Sequence, residues 1–409
     1  MPRTRTATLT FVAVALVLAI GTVARLYGRG ATFVARAAGA EGLVGDVADW
    51  GRQPVTESPV DIPWRDGTLR GRRYAPSGPT GRPILLVPGV HASGIDEPRL
   101  IGFARELAAI GHPTVTAELT DLTHYRITAR TTDMIEDAAS WLASQPNPIG
   151  DGRIGIMGIS FAGGLSIVAA GRPALRDRLA FVLSFGGHGD LPRTLHYLST
   201  GTQPDGTHRA PHDYGVAIIL LGVADQVVPA NQAGPLQAAI LAFLEASRLD
   251  MVDKARAATE FARARTMADG LPEPSRTLMT YVNNRDVAHL GPILVPHLAT
   301  LGGDAALSPD RGEPPACPIY LLHGLDDNVI PAVESRLLAR TLRDRGVTVH
   351  FLATPLVTHA EVDRAASVSS AFALVRFWTE VLGFFRGLER KYNDEAAALE
   401  KDQGLRQVA

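Results

Sequence analysis

A single cysteine, Cys317, in 409 residues excludes any internal disulfide and any zinc site built on cysteine thiolates. An excess of charge is also lacking. Forty Lys and Arg face 42 Asp and Glu, leaving a formal net charge of −2, which offers no basic face for nucleic acid and no strong field to steer a charged partner. Nothing repeats at a fixed period and no segment is of low complexity. What is present is the balance of a globular chain, 46% hydrophobic and 20% charged, long enough for one elaborated domain or two ordinary ones.

Long apolar runs are scarce, which makes the one at residues 7–24, "ATLTFVAVALVLAIGTVA", stand out. It follows Arg3 and Arg5 and is closed by Arg25. Its length sits near the low end of the roughly 17–25 residues that cross a bilayer as a helix. It exceeds the ~7–15 residues of a cleaved signal core. Residues 1–27 are therefore expected to be an N-terminal transmembrane anchor or, failing that, an exported signal. Arg3 and Arg5 on one side and Arg25, Arg29 and Arg36 on the other leave the orientation unset.

Residues 28–58 read as an Ala-, Gly- and Arg-rich linker. In "VDIPWRDGTLRGRRYAPSG" two short segments surround an "RDG" turn signal, which predicts a hairpin. From Pro83 buried strands alternate with helices. The strand "PILLVPG" leads to the helix "EPRLIGFARELAAIGHP"; the strand "TVTAEL" leads to the helix "TTDMIEDAASWLASQP", capped by Thr132 or Asp133. "RIGIMG", "FAGGLSIVAAG" and "LAFVLSFGG" continue the cycle as strand, helix and strand. "PIYLLHG", "VESRLLARTLRDRG", "VTVHFLA" and "VSSAFALVRFWTEVLGFF" complete it. Such alternation predicts an α/β fold, a mainly parallel sheet flanked by helices. Residues from about 190 to 314 interrupt the cycle with helical patterns, read as an insertion over one edge of the sheet, hence a lid. Residues 391–409 read as a solvated polar tail.

The stretch "GRIGIMGISFAGGLSIVAA" places Ser160 between a buried strand and a helix, with small residues on either side. A backbone that turns this sharply brings its neighbours together, so Gly158 and Ala162 have to be small. The helix that follows aims its N-terminus at the serine, with a free N–H on Phe161 and the positive end of its dipole. Turns of this kind also bind phosphates or simply pack tightly.

"GISFAG" resembles the nucleophile elbow of the α/β-hydrolase family, with Ala162 in place of the last glycine, and the motifs are similar to those of dienelactone hydrolases and esterases. The resemblance covers residues 60–190 and 315–388. It implies that "LLVPGVHASG" supplies the oxyanion hole through Val90, with Phe161 as the second donor. It also implies that "HGLDDNVIP" is the acid loop, with Asp327 as the acid and Asp326 as its exposed neighbour, and that His359 in "PLVTHAEV" is the base. Ser160, Asp327, His359 is the chain order of nucleophile, acid and base in that fold. On this reading residues 59–389 form the hydrolase domain. The expected activity is cleavage of an ester or related acyl bond in a small, partly apolar substrate, through an acyl-enzyme and with no cofactor. A serine peptidase of the same fold and a non-catalytic binding module are the alternatives.

Other residues compete for these roles. Asp190, after another strand, stands where some members of the fold carry the acid. Asp225 in "LLGVADQVVPANQ" mimics the acid loop, and the preceding "YGVAIILLG" suits a strand or a buried helix equally. His91 lies beside the oxyanion loop and could touch substrate or merely bind backbone. His112, His124, His289, His297 and His350 are scattered without metal-ligand spacing, and Trp141 reads as core.

Overall fold

Strands β1 (Val55–Trp64) and β2 (Gly67–Pro76) meet through the tight turn at Arg65 and Asp66 that the "RDG" signal predicts, paired antiparallel from Val55–Pro76 to Trp64–Gly67. The next strands are short, and the first five are buried on both faces: β3 (Ile84–Val87), β4 (Thr114–Ala117), β5 (Ile154–Ile159), β6 (Leu179–Phe185) and β7 (Ile319–Gly324), followed by the half-buried β8 (Val349–Thr354). They join β1 and β2 in one eight-stranded sheet ordered β1-β2-β4-β3-β5-β6-β7-β8, in which every pair from β4 onward is parallel. The computed structural model describes residue 21 and residues 27–37, 52–78, 80–212, 214–250, 252–357 and 368–383.

Helices α1 (Pro98–Ala109), α2 (Ala129–Ala143), α3 (Phe161–Gly171) and α10 (Ala332–Asp344) are the crossovers. The step from β3 to β4 runs one way across the sheet and all later steps run the other way. Right-handed crossovers therefore put α1 on one face and α2, α3 and α10 on the opposite one. Glu97 caps α1 by accepting from Leu100 N at 2.7 Å. The cap of α2 is Thr128, whose capping box with Thr131 starts the helix at Ala129, two residues ahead of "TTDM". Asp133, an expected cap, is spent instead on Arg65 (3.1 Å) and Arg172 (2.6 Å).

Between β6 and β7 the chain is helical: α4 (Leu191–Thr200), α5 (Tyr214–Val227), α6 (Ala230–Asp250), α7 (Lys254–Asp269), α8 (Ser275–Asn283) and α9 (Val287–Leu294), with further short turns. "YGVAIILLG" is the buried helix α5, not a strand. Ile219, Leu220 and Val223 on α5, Leu236, Ile240 and Phe243 on α6, and Leu278 and Met279 on α8 share one apolar cluster with the sheet. The Leu, Ala and Val content of this insertion is thus used in its own packing.

Both ends of the insertion are tied to the sheet by charge. Glu334, wholly buried in the first turn of α10, accepts from Gly189 N (3.1 Å), Asp190 N (3.2 Å) and Arg193 Nε and Nη2 (2.6 and 2.8 Å). Arg193 also reaches Asp310 at 3.0 Å, and Arg311 pairs with Asp190 at 2.7 Å. The entering segment is therefore held on one core carboxylate, and the leaving segment is held to the entering one through Arg193–Asp310 and Asp190–Arg311.

The chain divides into two compact units, residues 53–363 and residues 1–52 together with 364–409. In the second unit, helical residues 27–37 and α11 (Val368–Val381) bring Phe33 to 4.9 Å from Trp378 and stack Tyr27 on Phe372 at 5.6 Å. The expectation of a membrane location through an N-terminal helix is corrected here. Among the described residues no helix is long and apolar enough to cross a membrane. The most apolar helices, α3, α9 and α5, have 11, 8 and 14 residues, short of the roughly 20 that a bilayer requires. Residues 7–24, apart from Gly21, and the tail 391–409 lie outside the described residues.

Removing one member of a buried ion pair leaves its partner uncompensated, which costs about 3–5 kcal/mol. Glu334→Ala is expected to lower unfolding stability by that order, measured as a shift of the denaturant midpoint at constant slope.

Candidate active site

A parallel sheet opens a crevice where successive crossovers leave for opposite faces, beyond the carboxyl ends of the strands concerned. Here those strands are β3, followed by α1, and β5, followed by α3. They are neighbours, with Val87 paired to Gly158. The loop after β3 and the turn after β5 therefore face the same crevice.

Ser160 forms that turn. Its φ of 56° and ψ of −136° lie outside the regions open to most side chains. The conformation is held at both ends, by Ser160 N donating to Phe185 O and Gly163 N donating to Ser160 O, each at 2.8 Å. Phe161 begins α3 immediately afterwards. The close contact that makes the elbow possible is between backbones. A methyl group on Gly158 would strike the carbonyl of Ala162, which cannot swing aside as a flexible side chain would. Ala162 itself is fully buried without such a clash, so the family's last glycine is dispensable here. Across the crevice, a methyl on Gly89 would sit 3.2 Å from Ser160 Cβ, so the segment carrying Gly89 and Val90 lies directly against the serine. Phe161 follows Ser160 directly, and Val90 follows the glycine that lies against it.

Beneath the elbow, His188 is fully buried, tilted against the Phe161 ring at 5.4 Å, and its Nε2 donates to Leu307 O at 2.7 Å. Its Nδ1 has no hydrogen-bond partner among the described residues. Burial pushes this imidazole down to about 4, against smaller upward pulls from the Leu307 carbonyl, Asp190 and Asp310.

Asp327 lies in the loop between β7 and α10 and is almost wholly buried. Its Oδ1 accepts from Val329 N at 2.8 Å and Ile330 N at 2.9 Å, and its Oδ2 lies 3.4 Å from His323 Nε2. His323, the last side chain of β7 before Gly324, bonds Ile330 O through Nε2 and Ser335 Oγ through Nδ1, both at 2.7 Å. Its part in holding the loop is not among the roles that the motifs imply. A histidine in the otherwise apolar run "PIYLLHG" was the available signal. Asp326 points to solvent, with 77% of its side chain exposed and Arg209 at 3.4 Å. His359 lies outside the described residues, two positions beyond Val357.

The competitors have other occupations. Asp225 is exposed on α5, not in a loop at a strand end. Asp190 caps α4 through Arg193 N at 2.9 Å and pairs with Arg311. His91 Nδ1 accepts from Ser93 N at 3.2 Å, and burial lowers its basicity. His112 bonds Arg82 O, His124 bonds Thr120 O, His289 pairs with Asp286, His297 meets Gln226 and His350 stacks on Tyr320. Trp141 packs against the core cluster. No group of His, Cys, Asp and Glu among the described residues could hold a metal ion.

The buried His188 makes stability depend on pH. Unfolding restores its ordinary affinity for protons, so the unfolded state binds more protons wherever the pH lies between about 4 and the usual value of 6.5. The folded state is unpenalised above 6.5, loses stability as the pH falls through this window, and loses no more from this group below 4. The shift corresponds to roughly 3 kcal/mol. His188→Gln is expected to flatten the unfolding free energy between pH 7 and 4 by that order relative to wild type, as read from denaturant titrations at each pH.

No protein-family model matches the chain, and no curated protein matches it. Solved structures similar to it include an esterase from Pyrobaculum calidifontis, at 15% identity over 89% of this chain and 92% of that one, with a TM-score of 0.43. An acylaminoacyl peptidase from Pyrococcus horikoshii is 14% identical over 81% of this chain and 41% of that one, with a TM-score of 0.42. The fold is given by the molecule's own geometry. An eight-stranded sheet ordered 1-2-4-3-5-6-7-8, with a strained serine turn after the fifth strand and a buried aspartate after the seventh, has the α/β-hydrolase fold.

Proposed function

We propose that this protein is a serine hydrolase that cleaves an ester or related acyl bond of a small molecule, with Ser160 as nucleophile, His359 as base and Asp327 as acid. The observation that carries the reading is the conformation of Ser160. A non-glycine residue held at a φ of 56° stores strain of order 1–3 kcal/mol, which persists only where the surroundings impose it, as in nucleophile turns. The site's position supports it: β5 and β7 are separated by β6 alone, so their ends lie roughly 10 Å apart, a gap that an imidazole from the segment after β8 would span.

In this mechanism His359 accepts the Ser160 proton as Oγ attacks the acyl carbon, then returns it to the leaving group. The carboxylate of Asp327, fixed by two backbone N–H groups, holds the imidazole tautomer and stabilises the cation that forms. The N–H groups of Phe161 and Val90 bind the oxyanion, each of a kind worth roughly 3–4 kcal/mol of activation free energy. Water then hydrolyses the acyl-enzyme by the same proton transfers in reverse. The helical insertion, which leaves the sheet after β6 and returns at β7, serves in this reading as a lid. Its apolar residues are spent on its own core, so the acyl chain length that it admits is open to measurement with graded esters.

A fluorophosphonate probe is expected to label the wild-type protein covalently and to leave Ser160→Ala unlabelled; equal labelling of both would remove the serine from the mechanism. Asp327→Asn is expected to fold and to lower turnover of an activated ester by about four orders of magnitude, because the amide stabilises the wrong tautomer. Asp225→Asn, on the surface of α5, should stay within roughly tenfold of wild type, as expected for an exposed substitution. Steady-state kinetics on both variants checks the assignment.

A further inference from the structure

The loop carrying Asp327 is gripped from two sides. On the sheet side, His323 holds Ile330 O and Leu325 N donates to Thr354 O at 3.0 Å. On the other side the partners all come from the insertion. Tyr197 Oη, at the end of α4, donates to Asn328 O at 3.2 Å, and His212 N donates to the same oxygen at 2.7 Å. Arg209 Nη1 donates to Leu325 O at 3.2 Å, and its Nη2 lies 3.4 Å from Asp326 Oδ1.

The carbonyl of Asn328 and the N–H of Val329 belong to one peptide unit, which is planar and turns as a rigid body. Its N–H is one of the two donors to Asp327 Oδ1, and its oxygen is the atom held by Tyr197 and His212. Turning this peptide would withdraw the N–H from the carboxylate and the oxygen from the insertion together. Tyr197 is fully buried, and burial, opposed by Arg209 and slightly aided by the Asp327 carboxylate, pushes its hydroxyl up to about 12, so that it remains a donor throughout the working pH range.

We infer that the insertion positions the acid of the triad, and that Tyr197 is a positioning residue acting on Asp327 through the Asn328–Val329 peptide. The inference rests on the serine-hydrolase reading above and adds a function for the insertion beyond covering the site. It links the two parts of the domain: a displacement of α4 reaches the carboxylate within a single peptide unit. A helical cover that touched only substrate would leave the acid indifferent to its position.

The test is a double-mutant cycle on an activated ester, using the full chain. Tyr197→Phe keeps the buried ring and removes one of the two donors to Asn328 O, a loss worth about three- to tenfold in turnover. The acidic limb of its pH–rate profile, which reports the base, is expected to move, with KM little changed. In the Asp327→Asn background the same substitution should cost less than about twofold, because there is no longer a carboxylate for the peptide to orient. An equal cost in both backgrounds, or a wild-type pH profile with a lowered melting temperature alone, would show that Tyr197 merely supports the fold and would overturn the inference. Should Tyr197→Phe fail to fold, Arg209→Met enters the same cycle, since it releases Leu325 O at the other end of the loop. Failure of the underlying reading is separable from failure of the inference, because it appears as a single mutant Asp327→Asn that keeps near wild-type turnover.

Discussion

Approach of α3 to the strands beneath it is limited by backbone atoms, and the rest of the site follows from that limit. Gly158 faces the Ala162 carbonyl and Gly89 faces Ser160, so the helix can begin one residue after the strand ends and the β3 loop can lie against it. A wider separation would let Ser160 relax out of its positive φ and carry its hydroxyl and the N-terminus of α3 away from the loop at Val90. The crossover geometry adds the crevice, because α1 and α3 leave adjacent strands toward opposite faces.

Charge is concentrated where the insertion joins the sheet. Glu334 gathers two backbone N–H groups and the Arg193 guanidinium, and Ser335, its neighbour on α10, bonds His323, which holds the Asp327 loop. One helical turn thus anchors both the insertion and the acid's support. A buried carboxylate is a costly way to join two segments, and an apolar pairing of the same shape would be as stable. What the ionic form adds is direction: four donors converging on two oxygens admit one arrangement of the entering segment, and Arg193 carries it on to Asp310 in the leaving one.

The strand-and-helix alternation was legible because parallel strands buried on both faces must be almost wholly apolar, as "ILLV", "IGIMGI" and, but for Ser184, "LAFVLSF" are. The serine turn was legible because small residues are needed at fixed offsets from it. "YGVAIILLG" was ambiguous, since a fully buried helix and a buried strand present the same run of apolar residues. The cap of α2 was misplaced for a related reason: Thr128, Thr131, Thr132 and Asp133 are all chemically able to cap, and only the Arg65 and Arg172 charges nearby settle which is used.

Local chemistry in the sequence determined the sheet class, the Ser160 turn and the order of the motifs, because each depends on neighbours within a few residues. Tertiary structure alone decided that Asp225 lies on the exposed side of a helix and Asp327 in a buried loop, for the two motifs read alike and differ only in the element that precedes them. It alone brought Tyr197, Arg209 and His212 onto that loop, more than a hundred residues away along the chain. Hydrogen bonds to backbone carbonyls leave no trace in side-chain pattern, since every residue offers the same oxygen.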